Sequence, residues 1–211
     1  MTVHEILPAL PDVPALRDRC RAPAMLEAVM DATGFGFFGY AGCWSETEEV
    51  ALMDNGSGDD CAIVFSPAGA CARGFAHESR MSPYGDEDRA VWHGLVDAVP
   101  PAFRRYVTEP AFCDEGVPRA TVVFWRETAD GSWRTGPVEF PTDDPDGYAD
   151  GAEDLFGVLA AGTPEAYRDF AEDCYEPERP LTEAVLTALN PEADPAGAAR
   201  AATRIGYPVA G

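Results

Sequence analysis

Lysine is absent from this chain. All 15 basic residues are arginine, set against 37 aspartates and glutamates, and the formal net charge is −22. Arginine in place of lysine, beside abundant Ala, Gly, Pro and Asp, is the composition of a high-GC genome and asks for no function. The shortage of positive charge does exclude something. Binding to nucleic acid is driven largely by counterions that Lys and Arg displace from phosphates. Arg104-Arg105 is the one adjacent basic pair here, and no basic stripe surrounds it. Nucleic acid and anionic membrane are therefore not expected as partners. Such a surface attracts cations or a basic protein partner, or serves solubility or salt adaptation alone.

Other absences narrow the class further. No apolar run approaches the ~20 residues of a membrane span. The opening MTVHEILPALPDVPAL has neither a basic n-region nor an apolar h-region, so a cytoplasmic protein is expected. Its six cysteines, Cys20, Cys43, Cys61, Cys71, Cys113 and Cys174, include no CxxC pair, which argues against zinc-ribbon and thioredoxin motifs. In a reducing compartment they stay free thiols, and most are expected to be buried as small hydrophobes. The histidines His4, His77 and His93 show no HxH or HExxH spacing, and no GxSxG elbow occurs. The sequence thus predicts no metal, no cofactor and no catalytic set.

What is present suits a globular protein: 211 residues, 46% of them hydrophobic and 10% aromatic. Residues 1–13, rich in proline, read as an irregular arm, 14–190 as one α+β domain, and 191–211 as a weakly helical tail. Leu16, Cys20, Met25, Leu26 and Val29 recur at helical spacing, with Pro23 predicting a kink or two short helices. Glycine and aromatics alternate from Gly34 to Tyr40. With no strand before it, this GFGFFG string is not a nucleotide loop; its glycines let aromatic rings pack where the backbone bends.

A meander follows. Val50 to Met53, Cys61 to Ser66 and Ala70 to Phe75 read as strands, joined by an Asn55-Gly56 turn and a Pro67-Ala-Gly69 turn. Arg119 to Glu127 and Ser132 to Phe140 form a later hairpin around Ala-Asp-Gly. Between the two groups, Asp86 to Val99 reads as a helix. Helices are also expected over Ala152 to Ala161, Pro164 to Tyr175 and Leu181 to Leu189, the second capped by Thr163. The predicted fold is α+β, a mainly antiparallel meander sheet of five or six strands packed with helices from both ends of the chain.

Two segments carry chemistry. Asp54, Asn55, Ser57, Asp59 and Asp60 crowd a glycine turn, but Gly56 falls at position three, where an EF-hand needs a ligand. His77, Glu78 and Tyr84 follow a strand end, a common place for a binding site. Neighbours on an extended chain point to opposite faces, so His77 and Glu78 do not make a dyad by themselves. In a meander alternate connections share an end, so the 54–60 turn and the 77–84 segment should form one face. Acidic bursts at Glu46, Glu48, Glu49 and at Asp143, Asp144, Asp146, Asp150 read as exposed.

The runs DNGSGDDCAIVFSPAGACARGFAHESRMSPY, ATVVFWRE and DLFGVLAAGTPEAYRDFAEDCYE resemble an uncharacterised family of bacterial, actinomycete-type proteins. In layout alone, with Leu10-Pro11 and Asn55-Gly56 as marks set further apart than usual, the chain is similar to SUKH-type immunity proteins. That likeness implies a non-enzymatic acidic protein of immunity or inhibitor type that engages a basic protein partner. The alternative is a small enzyme or small-molecule-binding protein with a pocket near His77, Glu78, Tyr84 and Trp44.

Overall fold

The computed structural model describes residues 1–30, 37–85, 89–142 and 149–174, together with Arg200, Thr203, Arg204 and Gly206. Its centre is one antiparallel six-stranded sheet. The strands are β1 (Phe38–Ala41), β2 (Glu49–Asp54), β3 (Asp60–Ser66), β4 (Gly69–Phe75), β7 (Val122–Glu127) and β8 (Arg134–Thr135), hydrogen-bonded in that order. A separate two-stranded ribbon, β5 (Cys113–Asp114) with β6 (Val117–Pro118), lies between β4 and β7 in the chain. The α+β meander expected from the sequence is the observed architecture. Strand β1 is the end of the glycine-aromatic string, which reads as a bend from the sequence.

Both faces of the sheet are buried, which is why its central strands read as continuous apolar runs. On one face Ile63, Phe65 and Phe124 pack with Leu16 and Cys20 of α2 (Val13–Met30) and with Leu155 and Phe156 of α4 (Ala152–Ala161). On the other, Val64, Val123 and Trp125 pack with Leu95, Phe103 and Phe112 and with Tyr106 of the short helix α3 (Arg104–Val107). Helix α4 comes so close to β4 that a Cβ on Gly74 would lie 2.7 Å from Leu155 and 2.9 Å from Phe156. Helix α5 (Pro164–Cys174) follows α4. Among the described residues no helix is long and apolar enough to cross a membrane.

Three local expectations are corrected. Residues 1–13 are not an irregular arm. Val3–Ile6 forms helix α1 and Leu7–Ala9 a 3-10 turn, with Val3 and Ile6 fully buried. The driving force is apolar burial, worth roughly 1.5–3 kcal/mol per side chain. Of the two outcomes expected at Pro23, a pair of short helices is not what forms: Pro23 lies inside one helix, α2. Packing of Leu16, Cys20 and Ala24 in the core offsets the hydrogen bond that proline removes. The described part of Asp86 to Val99 is a chain of turns, not a helix. Gly94 adopts φ +84, with the Pro137 carbonyl 2.5 Å from where a Cβ would stand, so a close backbone approach displaces helical geometry there. Asp86, Glu87, residues 143–148, the expected helix at Leu181 to Leu189 and most of 191–211 lie outside the described residues.

The acidic bursts are also less exposed than they read. Glu48 is buried and accepts hydrogen bonds from Tyr106, Arg105 and Ser45. Glu49 is paired with Arg21 at 2.6 Å and accepts a bond from the Tyr40 hydroxyl. Asp150 is buried, taking the Val3 amide at 2.8 Å and the Ala152 amide at 3.0 Å. It ties α1 to the start of α4. Glu46 remains exposed.

Candidate functional site

The β2–β3 turn, the end of β4 and the start of β7 all meet at one end of the sheet. Antiparallel pairing requires it: Asp60 stands opposite Phe75, and Gly74 opposite Val122. The 54–60 turn and the segment after Phe75 are therefore adjacent, and Arg119, just ahead of β7, joins them.

The turn is organised by its own side chains. Asn55 Oδ1 accepts the amides of Ser57 (2.8 Å) and Asp59 (3.1 Å), and its Nδ2 donates to Asp59 Oδ2 at 2.9 Å. Asp54 Oδ1 caps the Gly56 amide at 2.8 Å. Such local bonds are what Asx residues bring to turns. Asn55 and Ser57 thus build the loop, and Ser57 is exposed.

Asp59 does more. It is buried, and its Oδ1 accepts both the backbone N–H and Nδ1 of His77 at 2.7 Å. With Nδ1 bonded to a carboxylate, neutral His77 carries its proton there and leaves Nε2 free. The bond to Asp59 holds the imidazolium above its ordinary value of 6.5, and the carboxylate charge adds to this. Glu78, the sequence neighbour, is exposed and reaches only 3.9 Å from Nε2. Gly58 faces the ring: at φ +110, a Cβ there would lie 3.3 Å from His77 Cγ.

Asp60 is the second anchor. Its carboxylate bridges two guanidiniums, pairing with Arg73 and, at 2.9 Å, with Arg119. Arg73 lies two residues from Asp60's cross-strand partner Phe75, a diagonal pair on one sheet face. Arg73 rests on the Phe112 ring at 4.6 Å and Arg119 on the Phe75 ring at 4.9 Å. Both distances are within cation–π range.

Two adjoining clefts open over these groups. The larger, about 400 Å³, is lined by Phe75, His77, Tyr84, Cys113, Asp114 and Arg119. The other, about 260 Å³, is lined by Leu52, Asp54, Asp60, Arg73, Phe112 and Arg119. Gly58 and Arg119 border both. Tyr84 donates its hydroxyl to Asp114 at 3.1 Å, and its ring stands edge-on to Phe75. Arg89 covers Tyr84 and pairs with Glu115 at 3.4 Å. Arg89 and Glu115 are the two non-glycine residues at positive φ among those described. Burial pushes the Cys113 thiol up, so it is not an activated nucleophile.

Of the sequence-predicted site residues, Asp54, Asp60, His77 and Tyr84 line the clefts. Asp59 and Asn55 stand behind His77. Trp44 does not line them; it stacks on Phe112 at 6.3 Å and supports that wall from behind. Sequence reasoning missed Arg73, Phe112, Asp114 and Arg119. One signal was available: Arg73 is the lone charge in the strand GACARGF.

A separate apolar groove of about 420 Å³ runs between α2 and α4–α5. Arg19, which lines it, donates to the Leu159 and Ala160 carbonyls at 2.9 and 3.0 Å.

No protein-family model, curated protein or solved structure matches this chain.

Proposed function

We propose that this chain is a small-molecule-binding protein whose ligand occupies the paired clefts at the 54–60 end of the sheet. The observation that carries this reading is the convergence of fixed polar groups on aromatic walls. Asp59 locks His77, Asp60 locks Arg119, and Phe75, Tyr84 and Phe112 shape the space between them. Ligand sites combine apolar walls with a few placed polar groups in this way. A sheet end serving only solubility would not need an arginine inside an apolar strand or a buried aspartate beneath a histidine. No reaction is assigned.

The test is a thermal-shift screen of a metabolite library, followed by His77→Ala and Arg119→Ala. Hits whose stabilisation disappears in both variants and survives in Arg134→Ala, on the distant strand β8, support the reading. Hits indifferent to both substitutions would sink it.

A second reading, the basic protein partner, draws on another observation. Leu52 and Tyr84 are exposed large hydrophobics, 42% and 41% accessible, and each borders one of the clefts. Exposed Glu78 and Glu115 stand at the same edge. Apolar anchors ringed by carboxylates suit a basic segment, as an immunity or inhibitor protein would require. An arginine-rich peptide should then lose affinity when Glu78 and Glu115 are neutralised. It should not lose it when the remote Asp18 and Glu165 are neutralised. Equal loss in both pairs would reduce the effect to net charge.

A further inference from the structure

We infer that the cleft is built to receive an anionic group, a carboxylate or a phosphate, which docks on Arg119 as the missing counter-charge of the Arg73–Asp60–Arg119 cluster. The inference rests on the cleft reading above and names its ligand class.

Within the Arg73–Asp60–Arg119 cluster the charges do not balance. Two guanidiniums share one carboxylate, that of Asp60. Arg73 is only 7% exposed, and its Nε is buried with no hydrogen-bond partner. Among the described residues, the other carboxylates that line or back the clefts are engaged elsewhere. Asp54 caps the Gly56 amide, Asp59 holds His77, and Asp114 takes the Tyr84 hydroxyl and Arg89. None of them forms an ion pair with Arg73 or Arg119. A buried or half-buried cation without a matching anion is costly. The surplus is confined to these three side chains, since Asp54, Asp59, Asp114 and Glu78 stand around them.

Arg119 is placed to use that surplus. Its side chain is 35% exposed and gives one nitrogen to Asp60, while a guanidinium carries five N–H donors in a planar fork. The remaining edge suits a planar or tetrahedral anion, as bidentate arginine pairing does generally. Phe75 beneath Arg119 and Phe112 beneath Arg73 fix the guanidinium planes and exclude water from one side. His77, in the same cleft, adds a second donor at Nε2 when protonated. The groups around it are Asp59 and Glu78, with Tyr84, Asp114 and Arg119 across the cleft. Protonation therefore raises the positive charge at the anion's position.

The experiment is an NMR titration of the full chain with benzoate, its neutral isostere benzamide, and inorganic phosphate. The signals followed are the arginine Nε–H and His77 ring resonances. Benzoate or phosphate should saturate, with benzamide weaker by about 10-fold or more, the usual worth of one charge-assisted pair. Saturation by phosphate alone assigns a phosphate group, and by benzoate alone a carboxylate. Arg119→Gln, which keeps much of the stem over Phe75, should lose about 10-fold, and Arg134→Ala nothing. Asp60→Asn, nearly isosteric, should tighten anion binding several-fold by releasing both guanidiniums. Affinity should fall as the pH rises through the His77 midpoint, which lies above 6.5. Benzamide binding as well as benzoate would overturn the inference while leaving a small-molecule cleft standing. Anion binding unchanged in Arg119→Gln would also overturn it. So would failure of both anions to saturate either the wild type or Asp60→Asn.

Discussion

Asp59 and His77, 18 residues apart in the chain, are joined twice at one oxygen: Asp59 Oδ1 accepts the His77 amide and its ring Nδ1, both at 2.7 Å. The two hydrogen bonds fix the backbone and the ring of His77 together. It decides which nitrogen faces the cleft, and it sets the direction in which His77 titrates.

The first prediction follows from that pair. His77 should titrate above 6.5, and Asp59→Asn should bring its midpoint down. The folded value is raised, so the stability contributed by the pair is complete below about pH 6.5. It fades as the pH rises through the folded value. NMR of the His77 ring reads the midpoint, and urea unfolding across that window reads the stability. A midpoint at or below the ordinary value in the wild type would contradict the geometry.

Gly58→Ala should damage the same pair. The φ of +110 strains any residue with a Cβ, and at 3.3 Å a methyl group would press on the His77 ring. The expected cost is about 1 kcal/mol or more from backbone strain, with a lowered His77 midpoint as the ring shifts. An unchanged stability and midpoint would mean that the turn relaxes freely.

Asp150→Ala tests the junction of α1 and α4. It removes the acceptor of the Val3 and Ala152 amides in a buried place. Hydrogen bonds to a charged group and two orphaned donors put the loss at roughly 2–4 kcal/mol. Burial holds the Asp150 carboxyl above the usual carboxylate range, against the pull of those amides. The sign is that of a raised group: its contribution is greatest below its unfolded value of 3.8 and declines as the pH climbs through the folded one. Denaturant midpoints of the variant and the wild type at neutral pH measure the loss.

Thiol reactivity should divide by position. Cys43 is exposed and Cys113 half-buried, while Cys20, Cys61 and Cys71 are buried free thiols. Burial pushes Cys61 and Cys71 up to about 12, so they are not thiolates at neutral pH. Under native conditions a maleimide should label Cys43 first and Cys113 slowly. Cys20, Cys61 and Cys71 should react only on unfolding. Peptide mapping by mass spectrometry after timed labelling gives the order.

Much of the sheet was legible because turn chemistry is local. Asn55-Gly56 and Pro67-Ala-Gly69 demand particular φ values wherever they occur. Two tight turns in succession are enough to put the 54–60 and 77–84 segments at the same end. The apolar runs CAIVF and TVVFW likewise announced strands covered on both sides. The stretch from Asp86 to Val99 misled because Val91, Leu95 and Val99 keep helical spacing. That pattern cannot register a backbone approach from Pro137, far along the chain.

The sequence by itself determined the fold class, the strands β2, β3 and β4, and the loops that share their end, since each depends on neighbours a few residues apart. Only the tertiary structure decided the chemistry there. It gave His77 to Asp59 instead of Glu78, and brought Arg119 to Asp60 across the pairing of β4 with β7. It also turned Asp150 and Glu48 inward. An aspartate reads the same in a sequence whether water or an amide will surround it. Its burial, its partner and its charge state are set by segments that meet only when the sheet closes and the face above it is covered.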